Sequence, residues 1–421
     1  MPENAKTPEI RFAGFTDAWE ERKLDELFNP IPNNTLSRAD LNYGSGRIKN
    51  VHYGDILIKF GAVTDCRADE IPFITGGEVA DYKSQLLRDG DVLFADTAED
   101  EMVGKATEIS GVDDGFVVSG LHTMAYRPKV RMAANYLGYY LNSTSYHHKL
   151  LSLMQGVKVL SISRTNLGMT PVSFPASELE QSKIGRFFAS LDRLMALHRR
   201  EYDKTVNIKK AMLEKMFPKD GADKPEIRFA GFTDAWEERK LGELAEIIGG
   251  GTPSTSIKEY WGGDVDWYAP AEIGEQTYLA SSQKKITELG LQNSSAKMLP
   301  VGTVLFTSRA GIGKTAILAK PGATNQGFQS IVPRKFALDS YFIFSRTHEL
   351  KRYGETVGAG STFVEVSGKQ MAQMPILIPE MSEQRKLGAF FSNLDRLITL
   401  HRRELEKLQS MKKALLEKMF V

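Results

Sequence analysis

The stretch Gly311-Ile312-Gly313-Lys314-Thr315 is the nearest this sequence comes to a phosphate loop. A Walker loop needs a further glycine five residues before Gly313, where its backbone N–H groups would cradle phosphate. Ser308 stands there, so the stretch is not read as an ATP site. Asn29-Pro30-Ile31-Pro32 has the outline of an amino-methyltransferase motif but lacks its second proline and its aromatic residue. The acidic run Glu99-Asp100-Glu101 reads as a solvated loop rather than a metal site. No Gly-x-Gly-x-x-Gly follows a strand, no His/Cys set has zinc spacing, and no nucleophile elbow is present. The expectation is no catalytic residue and no metal ligand. Cys66 is the sole cysteine, so it forms no internal disulfide and suits a reducing, cytoplasmic compartment.

Recognition chemistry is better represented. Short polar or glycine-rich loops occur at Gly249-Gly250-Gly251-Thr252-Pro253-Ser254, Thr307-Ser308-Arg309-Ala310-Gly311, Asn325-Gln326-Gly327-Phe328 and Gly358-Ala359-Gly360-Ser361-Thr362. Counterparts in the first half are Asp96-Thr97, Ser119-Gly120-Leu121-His122 and Gln155-Gly156-Val157-Lys158. Arg, Asn and Gln carry forks that match guanine and adenine edges, while Lys and backbone N–H groups suit phosphates. Candidate DNA contacts are therefore Thr97, Lys105, His122, Lys158, Arg309, Lys314, Asn325, Gln326, Ser361 and Thr362. Each of these loops taken alone is more often a plain turn. The net charge of +1 does not decide the matter. It is roughly −4 from Asp25 to Pro175 and roughly +4 from Ser177 to Lys219, so DNA contact would have to be local.

The elements that position these loops come from a duplication. Pro8-Glu-Ile-Arg-Phe-Ala-Gly-Phe-Thr-Asp-Ala-Trp-Glu-Glu-Arg-Lys-Leu24 recurs unchanged from Pro225 to Leu241. Phe187-Phe188-Ala189-Ser190-Leu191-Asp192-Arg193-Leu194 is answered by Phe390-Phe391-Ser392-Asn393-Leu394-Asp395-Arg396-Leu397. Both blocks run on through His-Arg-Arg-Glu to Leu-Glu-Lys-Met-Phe, ending at Phe217 and Phe420. Between these blocks the halves diverge, though Asp89–Phe94 and Val301–Phe306 share a turn-then-strand pattern leading to Gly104-Lys105 and Gly313-Lys314. Identical edges around dissimilar middles suit a fixed scaffold carrying two different recognition surfaces.

The shared C-terminal blocks read as long helices with a heptad-like seam. In the first, Ile184, Phe188, Leu191, Met195, His198, Tyr202, Thr205, Ile208, Met212 and Met216 step mostly by three and four. Leu387, Phe391, Leu394, Ile398, His401, Leu405, Leu408, Met411, Leu415 and Met419 match them position for position. The two seams are expected to pack antiparallel, with His198 and His401 as buried polar register markers. The chain then divides into residues 1–175 (with the motif 8–24), a central helix at 176–217, residues 218–379 (with the motif 225–241) and a distal helix at 380–421. The fold class is α+β, with mixed helix and sheet in both middles. The polar stretch Met1–Thr7 carries no signal-peptide pattern, and no apolar run approaches a membrane span.

These residues resemble the specificity subunits of bacterial type I restriction–modification systems. The repeated Pro-Glu-Ile-Arg-Phe opening, Ser382-Glu-Gln-Arg-Lys-Leu-Gly388, Phe390–Leu397 and the paired Leu-Glu-Lys-Met-Phe ends carry the likeness along the whole chain. The second middle, with Lys285–Leu291 and Thr324–Phe328, has the look of a target recognition domain. The first departs from that pattern: Glu383-Gln384-Arg385 is Glu180-Gln181-Ser182 there, and Asn325–Phe328 has no close match.

The resemblance implies two pseudo-repeated target recognition domains joined by two long antiparallel coiled-coil helices. Each domain would read one half of a bipartite double-stranded DNA target, with the helices as spacer ruler. Two methylation subunits would dock on the scaffold, and restriction/translocase subunits could join. S-adenosylmethionine, ATP and Mg would belong to those partners, leaving this chain without cofactor, catalysis or membrane contact. A protein–protein adaptor with two variable binding domains and no DNA reading is the competing class.

Overall fold

The structure is a computed structural model and describes residues 7–113, 115–219, 221–309, 311–358 and 365–421. The chain forms two compact units, Met1–His198 with Glu404–Val421, and Arg199–Arg403. Among the described residues no helix is long and apolar enough to cross a membrane.

Each unit is built on a mixed five-stranded sheet. In the first unit, Phe28–Ile31, Thr123–Pro128, Val92–Ala95, Ala106–Ser110 and Val63–Asp65 lie side by side in that order. Only the last pair is parallel. The second unit repeats the order with Ala245–Gly249, Gln329–Pro333, Val304–Phe306, Thr315–Leu318 and Tyr278–Leu279. Again only the last pair is parallel. A smaller sheet accompanies each: Phe116–Ser119 runs parallel to Ile48–Val51, and Ala323–Thr324 parallel to Trp261–Tyr268. The central strands Val92–Ala95 and Val304–Phe306 are buried along their whole length, as their unbroken apolar runs require.

The two long helices, Glu178–Lys215 and Met381–Lys418, have 38 residues each, so each is roughly 57 Å long. The central helix begins in the first unit and ends in the second, and the distal helix does the reverse. Within the first unit, Phe188 stacks on Phe420 at 5.7 Å and Asp192 accepts from Lys412 Nζ. Partner numbers fall as helix numbers rise, so the two segments are antiparallel there. The second unit repeats this, with Phe391 stacked on Phe217 at 5.6 Å and Lys209 Nζ donating to Asp395.

The repeated motif fastens these ends. Glu9 pairs with Lys418, the Ile10 N–H caps the Lys418 carbonyl at 2.9 Å, and Arg11 grips Glu180 with both arms at 2.7 and 2.9 Å. Phe12 then packs edge-on against Phe187. Glu226, Ile227, Arg228 and Phe229 make the same four contacts with Lys215, Glu383 and Phe390. Seventeen identical residues thus do one mechanical job twice: they hold the start of one helix against the end of the other. Gln181 and Gln384 also act alike, bonding the Pro175 and Pro379 carbonyls and the Ala133 and Asp339 N–H groups, whatever residue follows them.

The seam differs from the sequence reading in two places. Ile184, Phe188 and Leu191 are buried, as are Leu387 and Phe391, while Met195, Leu394 and Ile398 are half-buried. Ile208 and Met411, however, are exposed, and Lys209 and Lys412 face inward instead. Steps of four and then three from Thr205 and Leu408 reach Lys209 and Lys412 and then Met212 and Leu415, so the heptad register runs through the lysines, and Ile208 and Met411 lie one residue off it. His198 and His401 are half-buried rather than buried.

Candidate nucleic-acid interface

In each unit a shared backbone frame at one end of the central strands holds candidate loops together. In the first unit, Gly120 N–H bonds the Val51 carbonyl, Asp96 N–H the His122 carbonyl, and Ile162 N–H the Asp96 carbonyl. In the second, Asn325 N–H bonds Tyr268, Ser308 N–H bonds Gly327, and Val366 N–H bonds Ser308. The turns that follow agree as well: Ala95 N–H to Lys105 and Gly104 N–H to Ala95 become Thr307 N–H to Lys314 and Gly313 N–H to Thr307. Gly120-Leu121-His122 therefore occupies the place of Asn325-Gln326-Gly327, and Asp96-Thr97 that of Ser308-Arg309. These bonds use only main-chain atoms, so side chains on the frame can change without loss of the loop.

On the first frame, Thr97 donates to Asp96 at 2.8 Å, and His122 Nδ1 lies 3.0 Å from the same carboxylate. The His122 ring is half-exposed and meets the edge of Tyr53 at 5.3 Å; Tyr53 in turn lies 4.6 Å from His52. Burial, then the positive charge of Arg38, holds His52 below the usual imidazole range. Lys158 is exposed in the hairpin closed by Gln155 and Ser161, and Ser161 pairs with Thr97. Thr97 and His122 are thus brought together, and Lys158 lies on the hairpin paired beside Thr97. Lys105 is not among them: its ammonium donates inward to the Leu57 carbonyl at 3.0 Å, and burial, then Lys412, depresses its pKa.

On the second frame, Asn325 Oδ1 accepts from the Gly327 N–H, which fixes the amide with its nitrogen as donor. Gln326 Oε1 accepts from Thr252 in the loop of three glycines. That loop must pass close, since a Cβ on Gly250 would meet the Asn325 carbonyl oxygen at 2.0 Å. Arg309 is half-buried and bridges the Glu365 backbone, and Lys314 is exposed at the start of Thr315–Leu318. A strand, not a helix, follows Gly313-Lys314, so the turn lacks the helix N-terminus a phosphate loop supplies. Ser361 and Thr362 lie outside the described residues.

Sequence reading missed His52 and Tyr53, whose only signal was their place after a short apolar strand, and it missed the correspondence of Gly120–His122 with Asn325–Gly327. The cavities of about 470, 410 and 480 Å³ are lined by none of the candidate residues, and one of about 320 Å³ is lined by Lys105 alone among them.

Two like frames, each presenting a different polar set, define a duplicated recognition protein. The family model described as Type I restriction modification DNA specificity domain matches residues 16–205 and 233–410, and the chain belongs to that family. It is 35% identical to the type I restriction enzyme MjaIX specificity subunit of Methanocaldococcus jannaschii, over 44% of either chain. The chain thus spans less than half the length of that relative. Against the putative type I restriction enzyme MjaX specificity subunit of the same organism it is 24% identical, over 98% of this chain and 95% of the other. Among solved structures, the S subunit of a type I restriction–modification system from M. genitalium covers 99% of both chains at 14% identity, with a TM-score of 0.65. That likeness is one of fold.

Proposed function

We propose that this chain is the sequence-reading subunit of a type I restriction–modification assembly, recognising a bipartite duplex target with one unit per half-site. The observation that carries the reading is the shared main-chain frame dressed with different base-competent side chains in its two copies. The two helices set the spacer, and two methylation subunits dock on the scaffold. The chemistry belongs to partners: S-adenosylmethionine to the methylation subunits, ATP and Mg to restriction/translocase subunits. The target adenine, flipped from the stack, is received by the methylation subunit and not by this chain.

Binding of duplex DNA as a function of salt tests the reading. Phosphate contacts release counterions, so affinity must fall linearly with salt on logarithmic axes. Salt-independent binding, or none at low salt, would leave the adaptor class in its place.

A further inference from the structure

His122 combines three features found at no other described candidate residue. Its backbone is left-handed, with φ of 53°, a conformation costly for a side chain with a Cβ. Its ring is buttressed: Nδ1 is 3.0 Å from Asp96 Oδ1, Thr97 Oγ1 donates to the same oxygen at 2.8 Å, and Tyr53 supports the ring edge-on. Yet 46% of the side chain remains exposed, so these supports do not bury it. The place on the frame differs between units. Its counterpart is Gly327, where a Cβ would meet Pro270 Cγ at 2.7 Å, while Ser308 and Arg309 replace Asp96 and Thr97. An imidazole held this firmly toward solvent, on a strained backbone, does not serve the core.

We infer that His122 is the base-edge reader of the first unit, a determinant of one base pair in its half-site, and that Asp96 is its positioning residue. The inference rests on the proposed function. An ionised Asp96 can only accept, so Nδ1 carries the proton that it receives. In the neutral ring Nε2 is then the acceptor turned outward. Its complement in the major groove is an exocyclic amine, adenine N6 or cytosine N4. Thr97 occupies the second acceptor direction of Asp96 Oδ1 and keeps the carboxylate from turning. Gly327, the counterpart of His122, has no side chain to offer, and the forked side chains of the second frame, Arg309 and Asn325, stand instead at the places of Thr97 and Gly120.

The experiment is selection of bound sequences from a randomised duplex pool by the full chain, comparing the unaltered protein with His122→Gly, His122→Asn and Asp96→Ala. Glycine relieves the left-handed strain, so the variant folds at least as well. The expected result is loss of preference at a single base pair of one half-site, on the order of fivefold to tenfold, the low end for a base-edge contact. The other half-site, the spacer and the salt slope stay unchanged. Asp96→Ala should weaken the same base pair without touching others, a pattern that general destabilisation does not produce. An unchanged motif in His122→Gly, or loss spread over both half-sites, overturns the inference while leaving the proposed function standing. If the unaltered chain enriches no sequence, the proposed function falls, and this assignment with it.

Discussion

Glu108 is 3% exposed, and its two oxygens accept from the N–H groups of Asn135 at 2.7 Å and Gly138 at 2.9 Å. Burial nevertheless pushes its carboxyl up to about 7, against those N–H donors, from 4.5 for the free group. A folded value above the unfolded one means that the folded state binds its proton more tightly. The stability it contributes is full below pH 4.5 and is lost as pH rises through 7, a span worth at most about 3 kcal/mol. The thermal midpoint of the first unit should therefore fall between pH 5 and pH 8, and Glu108→Gln should flatten that slope. An equal slope in the variant would remove Glu108 as its source. Arg228 raises a different residue-scale question, because it is the bidentate partner of a Glu383 side chain only 1% exposed. Arg228→Met strands that carboxylate and should cost about 3 kcal/mol in the unfolding of the second unit; adding Glu383→Gln should recover most of it. If the double variant is no more stable than the single, the loss lies in packing of the arginine stem.

At the scale of elements, the informative feature is that each aromatic core is completed, within its own unit, by the ring just past the end of a long helix. Phe420 lies 6.3 Å from Trp19 and 5.8 Å from Tyr140, and Phe217 lies 5.9 Å from Trp236 and 5.8 Å from Phe342. Deleting either ring should cost about 3–5 kcal/mol. The expected loss is local: in hydrogen exchange, Phe420→Ala should expose residues 8–24 and 136–141, whereas Phe217→Ala should expose 225–241 and 340–345. Loss at both places in either variant would contradict two separately completed cores. The helices themselves were legible in the sequence because a stripe at three and four residues is a direct imprint of packing. The places of Ile208 and Met411 were not, since following apolar residues alone steps off the heptad register where a lysine holds it. The inward Lys209 and Lys412 carry no apolar signal. They are tolerated there because Asp395 and Asp192 receive them, while Tyr341 and Tyr139 donate to the same carboxylates at 2.7 and 2.8 Å.

For the whole molecule, the duplication was readable at its edges and not in its middles, and the frame explains the difference. The edges act through side chains, such as Arg11 on Glu180 and Phe12 on Phe187, so their identities are fixed. The middles share N–H and carbonyl bonds that any sequence can make, so Gly120–His122 and Asn325–Gly327 could diverge beyond recognition while holding one position. A transplant should respect that division. Glu237–Lys240 pairs with Pro375–Ile378, and the Leu241 N–H bonds the Met374 carbonyl. Exchanging residues 245–373 for the matching segment of another family member keeps that closure, the motif and both helices. Sequences selected from a randomised duplex pool should then change in one half-site only, with the other half and the spacer retained. A changed spacer would mean that the exchanged segment, and not the helices alone, sets the distance between half-sites. A change in both halves would mean that the frames do not read independently.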